Sequence, residues 1–345
     1  MSSRLLTVAL AALLLLSIPV LRPSGGALAQ EPRVLRLSTW VPPGHELNRS
    51  VFPAWARSVE RATGGRVRIA MEYNLAAPNA QFDLVRDGRA DIGYVFHGYH
   101  PDRFLLPRLT ELPGTGVDQV AASVAYWRVH QAHLARADEH RGVAVIGVML
   151  HGPGVLHLKQ PITQLRDLTG MRIRVPGGVS SDIAAVLGIR AVSLGPAQAY
   201  AALLDGRADG AFLPMESKES FRILEVARHS VEMPGGFYDG SFSIVMNPAA
   251  LDSLGPDRAA LMSVSGERLS ALAGRGWRAA DGRARTAIDA AGNIVTMADA
   301  AMQLEFEAIF GPIEMAWIIK ASQARGIDAL SVLAEYRSIA RTFSE

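Results

Sequence analysis

A five-residue motif occurs twice in this chain and limits its fold more than any other feature. Asp87-Gly88-Arg89-Ala90-Asp91 and Asp205-Gly206-Arg207-Ala208-Asp209 each follow an apolar, helix-like segment and precede an apolar, strand-like one. Glycine enters the left-handed backbone conformation that ends a helix without a Cβ penalty, so each copy can turn a helix straight into a strand. Two copies in matching contexts predict two similar α/β lobes. The length of 345 residues is enough for both.

The surrounding segments agree with this. Residues 34–38 alternate as a strand. Residues 48–62 carry Val51, Trp55 and Val59 at helical spacing and stop at Thr63-Gly64-Gly65. A strand over 67–71, a helix over 79–86 and a buried strand over 91–96 follow. Strand, helix, strand, helix, strand is the order of a parallel α/β unit. A helix over 117–137 and an apolar strand over 143–150 complete this half.

The pattern then restarts. Strands are expected over 155–158 and 171–175, and a helix over 180–187 with Ser180 or Ser181 as its N-cap and Gly188 as its stop. A strand over 191–194, a helix over 197–204 and strands over 210–213 and 242–246 come next. Residues 257–291 read as mostly helical but interrupted by Gly266, Gly274, Gly276 and Gly282, which predicts a long helix crossing both lobes, bent at a glycine. After a short strand over 294–297, helices close the chain, broken at Gly311-Pro312 and Gly326. The last carries Leu330, Leu333, Tyr336 and Ile339 as a core-facing stripe.

The N-terminus reads as a cleavable secretory signal over 1–29. Arg4 supplies the positive start, the run 5–21 is apolar apart from Thr7, Ser17 and Pro19, and Ala27-Leu28-Ala29 forms a small-residue cleavage pattern. The run is shorter than the ~20 residues of a spanning helix, and an uncleaved anchor is the alternative. Removing 1–29 takes away Arg4 and Arg22 and no acid, so 35 basic side chains become 33 against 33 acidic ones. That balance argues against nucleic acid or an anionic membrane as partner. The chain has no Cys. Thiol nucleophiles, Cys-based zinc sites and a lipoprotein anchor are therefore excluded, and a chain of this size can bury a core without disulfides. A free periplasmic protein is expected.

The stretch 167–178 draws attention for chemistry. In Met171-Arg172-Ile173-Arg174-Val175-Pro176-Gly177-Gly178, strand alternation puts Arg172 and Arg174 on one face, and Arg174 lies beside the Pro-Gly-Gly stop. A guanidinium at a strand end can grip a carboxylate through two parallel hydrogen bonds; two solvated surface arginines are the plain alternative. No Gly-x-Ser-x-Gly elbow or Gly-x-x-x-x-Gly-Lys loop is present. His97 and His100, like His130 and His133, are three apart with no carboxylate at ligand spacing. No metal, cofactor or catalytic group is expected.

Together these residues resemble the solute-binding proteins of tripartite ATP-independent periplasmic (TRAP) transporters, the DctP family. The similar stretches are Thr63-Gly64-Gly65-Arg66-Val67, Gly88 to Gly93, Gly98-Tyr99-His100-Pro101-Asp102-Arg103-Phe104, Glu111-Leu112-Pro113, Asp167 to Pro176, Tyr200 to Gly210 and Met246-Asn247. They span nearly all of the chain beyond the leader. The resemblance implies an α/β, two-lobed, periplasmic-binding-protein-like fold with a ligand cleft between lobes that close by a hinge. Lobe I would comprise 30–151 with about 240–278 returning to it, and lobe II 152–239 with about 279–345 returning. The family's carboxylate-gripping arginine falls on Arg174. The expected function is capture of a small organic acid and delivery to TRAP permease membrane subunits, by a monomer. An exported enzyme using the same cleft, or a sensor for a signalling partner, are the alternatives.

Two departures bear on the ligand. Gly152-Pro153-Gly154-Val155 lacks a basic residue that many sugar-acid binders of the family carry, and Leu213 stands where a polar residue often precedes the equivalent of Pro214. Both argue against a sugar acid and for a small or partly apolar one. The remaining ligand candidates sit near strand ends, where open α/β sheets bind ligands. They are Trp40 and His45 after the first strand, Asn74 and Gln81 beyond the second, Tyr99 after the third, and Phe212, Met215 and Glu216 in the second lobe. Phe237 lies beside Tyr238 in a Gly-rich crossing segment. For each, core packing or an ordinary surface position is the competing reading.

Overall fold

The computed structural model describes residues 31–114 and 116–343; the expected leader lies outside them. In chain order the strands are β1 (Arg33–Thr39), β2 (Val67–Tyr73), β3 (Ile92–Phe96), β4 (Ala144–Leu150), β5 (Gly154–Leu158), β6 (Arg172–Arg174), β7 (Arg190–Val192), β8 (Gly210–Pro214), β9 (His229–Glu232), β10 (Ser241–Met246) and β11 (Ile294–Met297). One sheet has the order β2-β1-β3-β10-β4 and the other β11-β9-β5-β8-β6-β7. β1 is parallel to β2 and β3, and β6 is parallel to β7 and β8. Beside each trio runs an antiparallel strand from the other half of the chain: β10 against β3, and β5 against β8. The chain therefore passes between sheets after β4, after β9 and before β11.

The repeat fixes this symmetry. Gly88 and Gly206 have φ of +70° and +72°. The aspartate closing each copy then clamps the start of a neighbouring strand. The Asp91 N–H donates to the Arg36 carbonyl (3.0 Å) while its carboxylate accepts from the Arg36 N–H (2.7 Å). Asp209 does the same to Arg172, at 2.6 and 2.9 Å. The Asp209 carboxylate also takes the Arg172 guanidinium, leaving that arginine at the surface. Arg174, two residues on, stands at the other end of β6 and is buried.

The expected crossing helix is Glu267–Ala290. Near its start Leu269, Ala273 and Trp277 pack with the first sheet's core, and near its end Ala284 and Ile288 pack on Val155 and Met215 of the second. Its glycines do not interrupt it. Gly266, with φ +59°, sets its beginning. Inside, a Cβ on Gly274 would stand 2.4 Å from the Gln119 carbonyl oxygen, and one on Gly276 2.2 Å from Val51. These glycines let the helix lie against its neighbours.

Three other expectations are corrected. The helix Val179–Val186 starts after Gly178 (φ +64°) and is not capped by Ser180 or Ser181. The Ser180 hydroxyl turns back to the Gly177 carbonyl, and Glu111 from a distant loop accepts from the Val179 N–H at 2.9 Å. The helix Ala300–Arg325 runs through Gly311-Pro312 and stops only at Gly326, φ +62°. Gly311 and Pro312 lie on its exposed side, where water can satisfy a freed carbonyl, while Phe306, Ile313 and Trp317 anchor the opposite side. In Ala329–Thr342 the buried face is Ala329, Val332, Leu333, Tyr336 and Ala340. Leu330 is 60% exposed, one position off the i, i+3, i+4, i+7 face made by Ala329, Val332, Leu333 and Tyr336.

Candidate functional site

Between the two sheets lies a tight cavity of about 40 Å³, well below the size of a typical ligand pocket, so the lobes must part to admit a ligand. Its wall comes from strand ends: Trp40 after β1, Phe96 and Tyr99 at the end of β3, His151 after β4, Arg174 and Pro176 at the end of β6, Leu213 and Pro214 of β8, and Glu216 beyond it. Tyr238 and Phe242 from the crossing segment and Trp277 from the crossing helix also line it, as do His45, Ser217 and Phe221.

Arg174 is the cation of this wall. It is 1% exposed. Its Nε donates to the Leu194 carbonyl and its Nη1 to the Phe212 carbonyl, each at 2.9 Å, and Nη2 lies 3.4 Å from the Tyr99 hydroxyl. Among the described residues no carboxylate stands within ion-pair distance of it. A guanidinium has five N–H donors, so the carbonyls fix its plane and leave donors facing the cavity. Burial raises the Tyr99 pKa, with Arg174 opposing, so the hydroxyl stays neutral and can turn with its ligand.

The rest of the wall is largely aromatic. Trp40 stacks on Tyr94 at 5.1 Å and meets Tyr99 edge-on at 6.5 Å. Phe242 contacts Phe96 at 5.0 Å and stacks on Trp277 at 5.9 Å. Such surfaces suit a flat ring. Burial lowers the His151 pKa to about 4, so its imidazole is neutral; Nδ1 contacts the Gly152 carbonyl, which leaves Nε2 as an acceptor.

A second polar group comprises His45 and Glu216, 1% and 2% exposed. Burial pushes the Glu216 pKa up, but His45 and hydrogen bonds from Ser220 and Ser217 outweigh it and hold the carboxyl below its usual value. Behind Glu216, Asp281 accepts from the Glu216 N–H and from Gln119 Nε2, both at 2.9 Å. Burial, reinforced by Glu216, pushes the Asp281 pKa up to about 7.

Of the sequence candidates, the cavity gathers Trp40, His45, Tyr99, Arg174 and Glu216. The other five lie elsewhere. Asn74 turns outward in a left-handed conformation (φ +58°). Gln81 is buried at the start of a helix, folded back onto the Ala76 carbonyl. Phe212 faces away from Leu213 by strand alternation and packs on Phe237, which packs in turn on Phe306; only the Phe212 carbonyl reaches the site. Met215 fills the core under the crossing helix. His151, Phe242 and Trp277 went unnoticed in the sequence. Reading the end of β4 by the same strand-end rule would have found His151; nothing local marks Trp277.

A two-lobed α/β fold with a ring-lined cavity at the strand ends defines a solute-binding receptor. The chain belongs to the bacterial extracellular solute-binding protein family 7, DctP, whose sequence model matches residues 37–316. It is 30% identical over 312 residues to the outer membrane transporter protein TsaT of Comamonas testosteroni, covering 88% of this chain and 90% of that protein. Among solved structures it is similar to a TRAP periplasmic solute-binding protein from Bordetella bronchiseptica with bound (R)- and (S)-mandelate, at 34% identity and TM-score 0.87, covering 90% and 99% of the two chains. It is also similar to a TRAP solute-binding protein from Rhodoferax ferrireducens T118 in complex with copurified benzoate, at 30% identity and TM-score 0.83, covering 90% and 98%. The two solved relatives are solute-binding proteins of TRAP transporters, and the family is one of extracellular solute-binding proteins.

Proposed function

We propose that this chain captures a small aromatic monocarboxylate in the periplasm and hands it, unchanged, to a TRAP-type permease. Arg174 carries the proposal: a buried guanidinium, oriented by two carbonyls and unpaired with any acid, sits in a wall of aromatic rings. The carboxylate would pair with Arg174 and Tyr99, and the ring would lie among Trp40, Phe242 and Trp277. The mandelate and benzoate held by the two solved relatives have this chemistry. The receptor would act as a monomer, with lobes of about 30–151 plus 240–278 and 152–239 plus 279–345 closing over the ligand. The two solved relatives are solute-binding proteins holding their acids bound, so a receptor is favoured over an enzyme.

The test is calorimetry and thermal unfolding of the chain from Gln30 onward against benzoate, phenylacetate, mandelate, succinate and glucuronate. A ligand at a hundred times its dissociation constant stabilises the fold by about 2.7 kcal/mol. Binding of the aromatic acids, each recovered intact, is the expected result. Preference for succinate or glucuronate would overturn the aromatic assignment.

A further inference from the structure

We propose that His45 and Glu216 form a second anchor in the cavity, which recognises a hydroxyl group on the ring of the bound acid. This rests on the carboxylate-receptor reading above and adds to it.

Each partner has one polar atom already engaged and one open. His45 Nδ1 accepts from the Leu47 N–H at 3.2 Å, which places the proton of a neutral imidazole on Nε2. Glu216 Oε1 accepts from the Ser217 hydroxyl at 2.8 Å. The two remaining atoms, His45 Nε2 and Glu216 Oε2, lie 3.4 Å apart, yet both are fully buried without a hydrogen-bond partner. The two atoms share only this long contact, and neither has another partner. A donor and an acceptor thus stand side by side in the wall of the cavity that holds Arg174, joined only by a long contact that a small polar group could bridge better.

Buried polar atoms left unpaired cost free energy, more so when charged. Benzoate would satisfy Arg174 and leave this pair unmet. A hydroxyl is both donor and acceptor: it can donate to Glu216 Oε2 and accept from His45 Nε2 at once. A carboxylate there would meet the charge of Glu216, and an amine would leave Nε2 without an acceptor once protonated. The Trp277 ring stands edge-on to His45 at 5.1 Å, and its Nε1 is also buried and unpartnered. This end of the cavity is therefore polar within an apolar frame, which is how a pocket selects a substituent without gripping the whole ligand.

The experiment measures affinities of the mature chain for benzoate, the three hydroxybenzoates and the three fluorobenzoates, with Glu216→Gln alongside. At least one hydroxybenzoate should bind tenfold or more tightly than benzoate, and its fluoro counterpart, similar in size but lacking the donor, should lose that advantage. Glu216→Gln should bring the hydroxybenzoate-to-benzoate ratio toward one. Should that variant not fold, the fluorobenzoate comparison decides the matter on the unaltered protein. Benzoate binding with no gain from any hydroxyl overturns the second anchor alone. Absence of binding by every acid overturns the receptor reading and this inference with it.

Discussion

Replacing Arg174 by methionine separates a ligand-gripping arginine from a structural one. In the empty protein the substitution has opposing effects. It removes two hydrogen bonds from a charged group to the Leu194 and Phe212 carbonyls, worth about 1.5–3 kcal/mol each. It also removes a buried cation that has no acidic partner, whose desolvation costs several kcal/mol. Methionine fills much of the same space in an already apolar wall. The two effects nearly cancel, so unfolding of the empty variant should stay within about 2 kcal/mol of wild type. Binding has no such offset. Losing one partner of a buried, hydrogen-bonded charge pair costs about 2–5 kcal/mol, or about thirty- to several-thousand-fold in affinity. Denaturant unfolding of both proteins, with and without benzoate or mandelate, reads both quantities. The expected result is similar stability without ligand and ligand-induced stabilisation only in wild type. A variant that is strongly destabilised when empty, yet still stabilised by the same acid, would refute the reasoning and make Arg174 a structural tie.

Other perturbations test the frame around the site. Gly177, at φ +110°, meets Gly98 so closely that a Cβ would stand 2.1 Å from the Gly98 carbonyl oxygen; Gly177→Ala should weaken ligand binding about tenfold or more by calorimetry, and unchanged affinity would show that binding does not need this contact between the sheets. Gly274→Ala should destabilise by about 1–2 kcal/mol in denaturant unfolding, because overpacking against Gln119 outweighs the better helix propensity of alanine; a gain in stability would deny that close packing selects the glycine. Asp281, with its pKa raised to about 7 by burial, binds a proton in the folded state that the unfolded chain releases near pH 4. Its contribution is therefore complete below pH 4 and is lost as pH rises through 7, about 4 kcal/mol in all. Asp281→Asn, measured against wild type by unfolding across pH 4–8, should lose that slope, and parallel curves would place the titration elsewhere.

How much of this was legible in the sequence depends on whether a residue's role is set locally. The repeat was legible because its glycine and closing aspartate act on residues next to them in the fold, and it correctly announced two sheets of one plan. Alternation placed Arg172 and Arg174 on one face, but not their opposite fates. Those follow from a partner thirty-odd residues away, since Asp209 claims Arg172 at the surface end of β6. Phe212 sits one residue out of phase, because strand ends identify a neighbourhood while the cavity takes only every second side chain; Phe237, in the loop before β10, packs on Phe212 and Phe306 instead. The glycines of the crossing helix misled for the opposite reason: a glycine that breaks a helix and one that admits a neighbour look alike until the neighbour, Gln119 or Val51, is known.

The same distinction explains the chemistry of the site. An arginine already paired with a protein carboxylate, like Arg172, is oriented but neutralised; it has little left for an anion. Arg174 is oriented by carbonyl oxygens instead, which direct its plane through their dipoles without cancelling its charge. In the proposed function the counter-ion would be the ligand's own, and bringing the two charges together inside an aromatic wall would make binding depend on both the acid and the ring. Glu216, the acid that does line the cavity, is held instead by His45 and serine hydroxyls. On that proposal a carboxylate ligand would be drawn to Arg174 and repelled by Glu216, so the fixed charges would give the cavity a direction before any ligand enters.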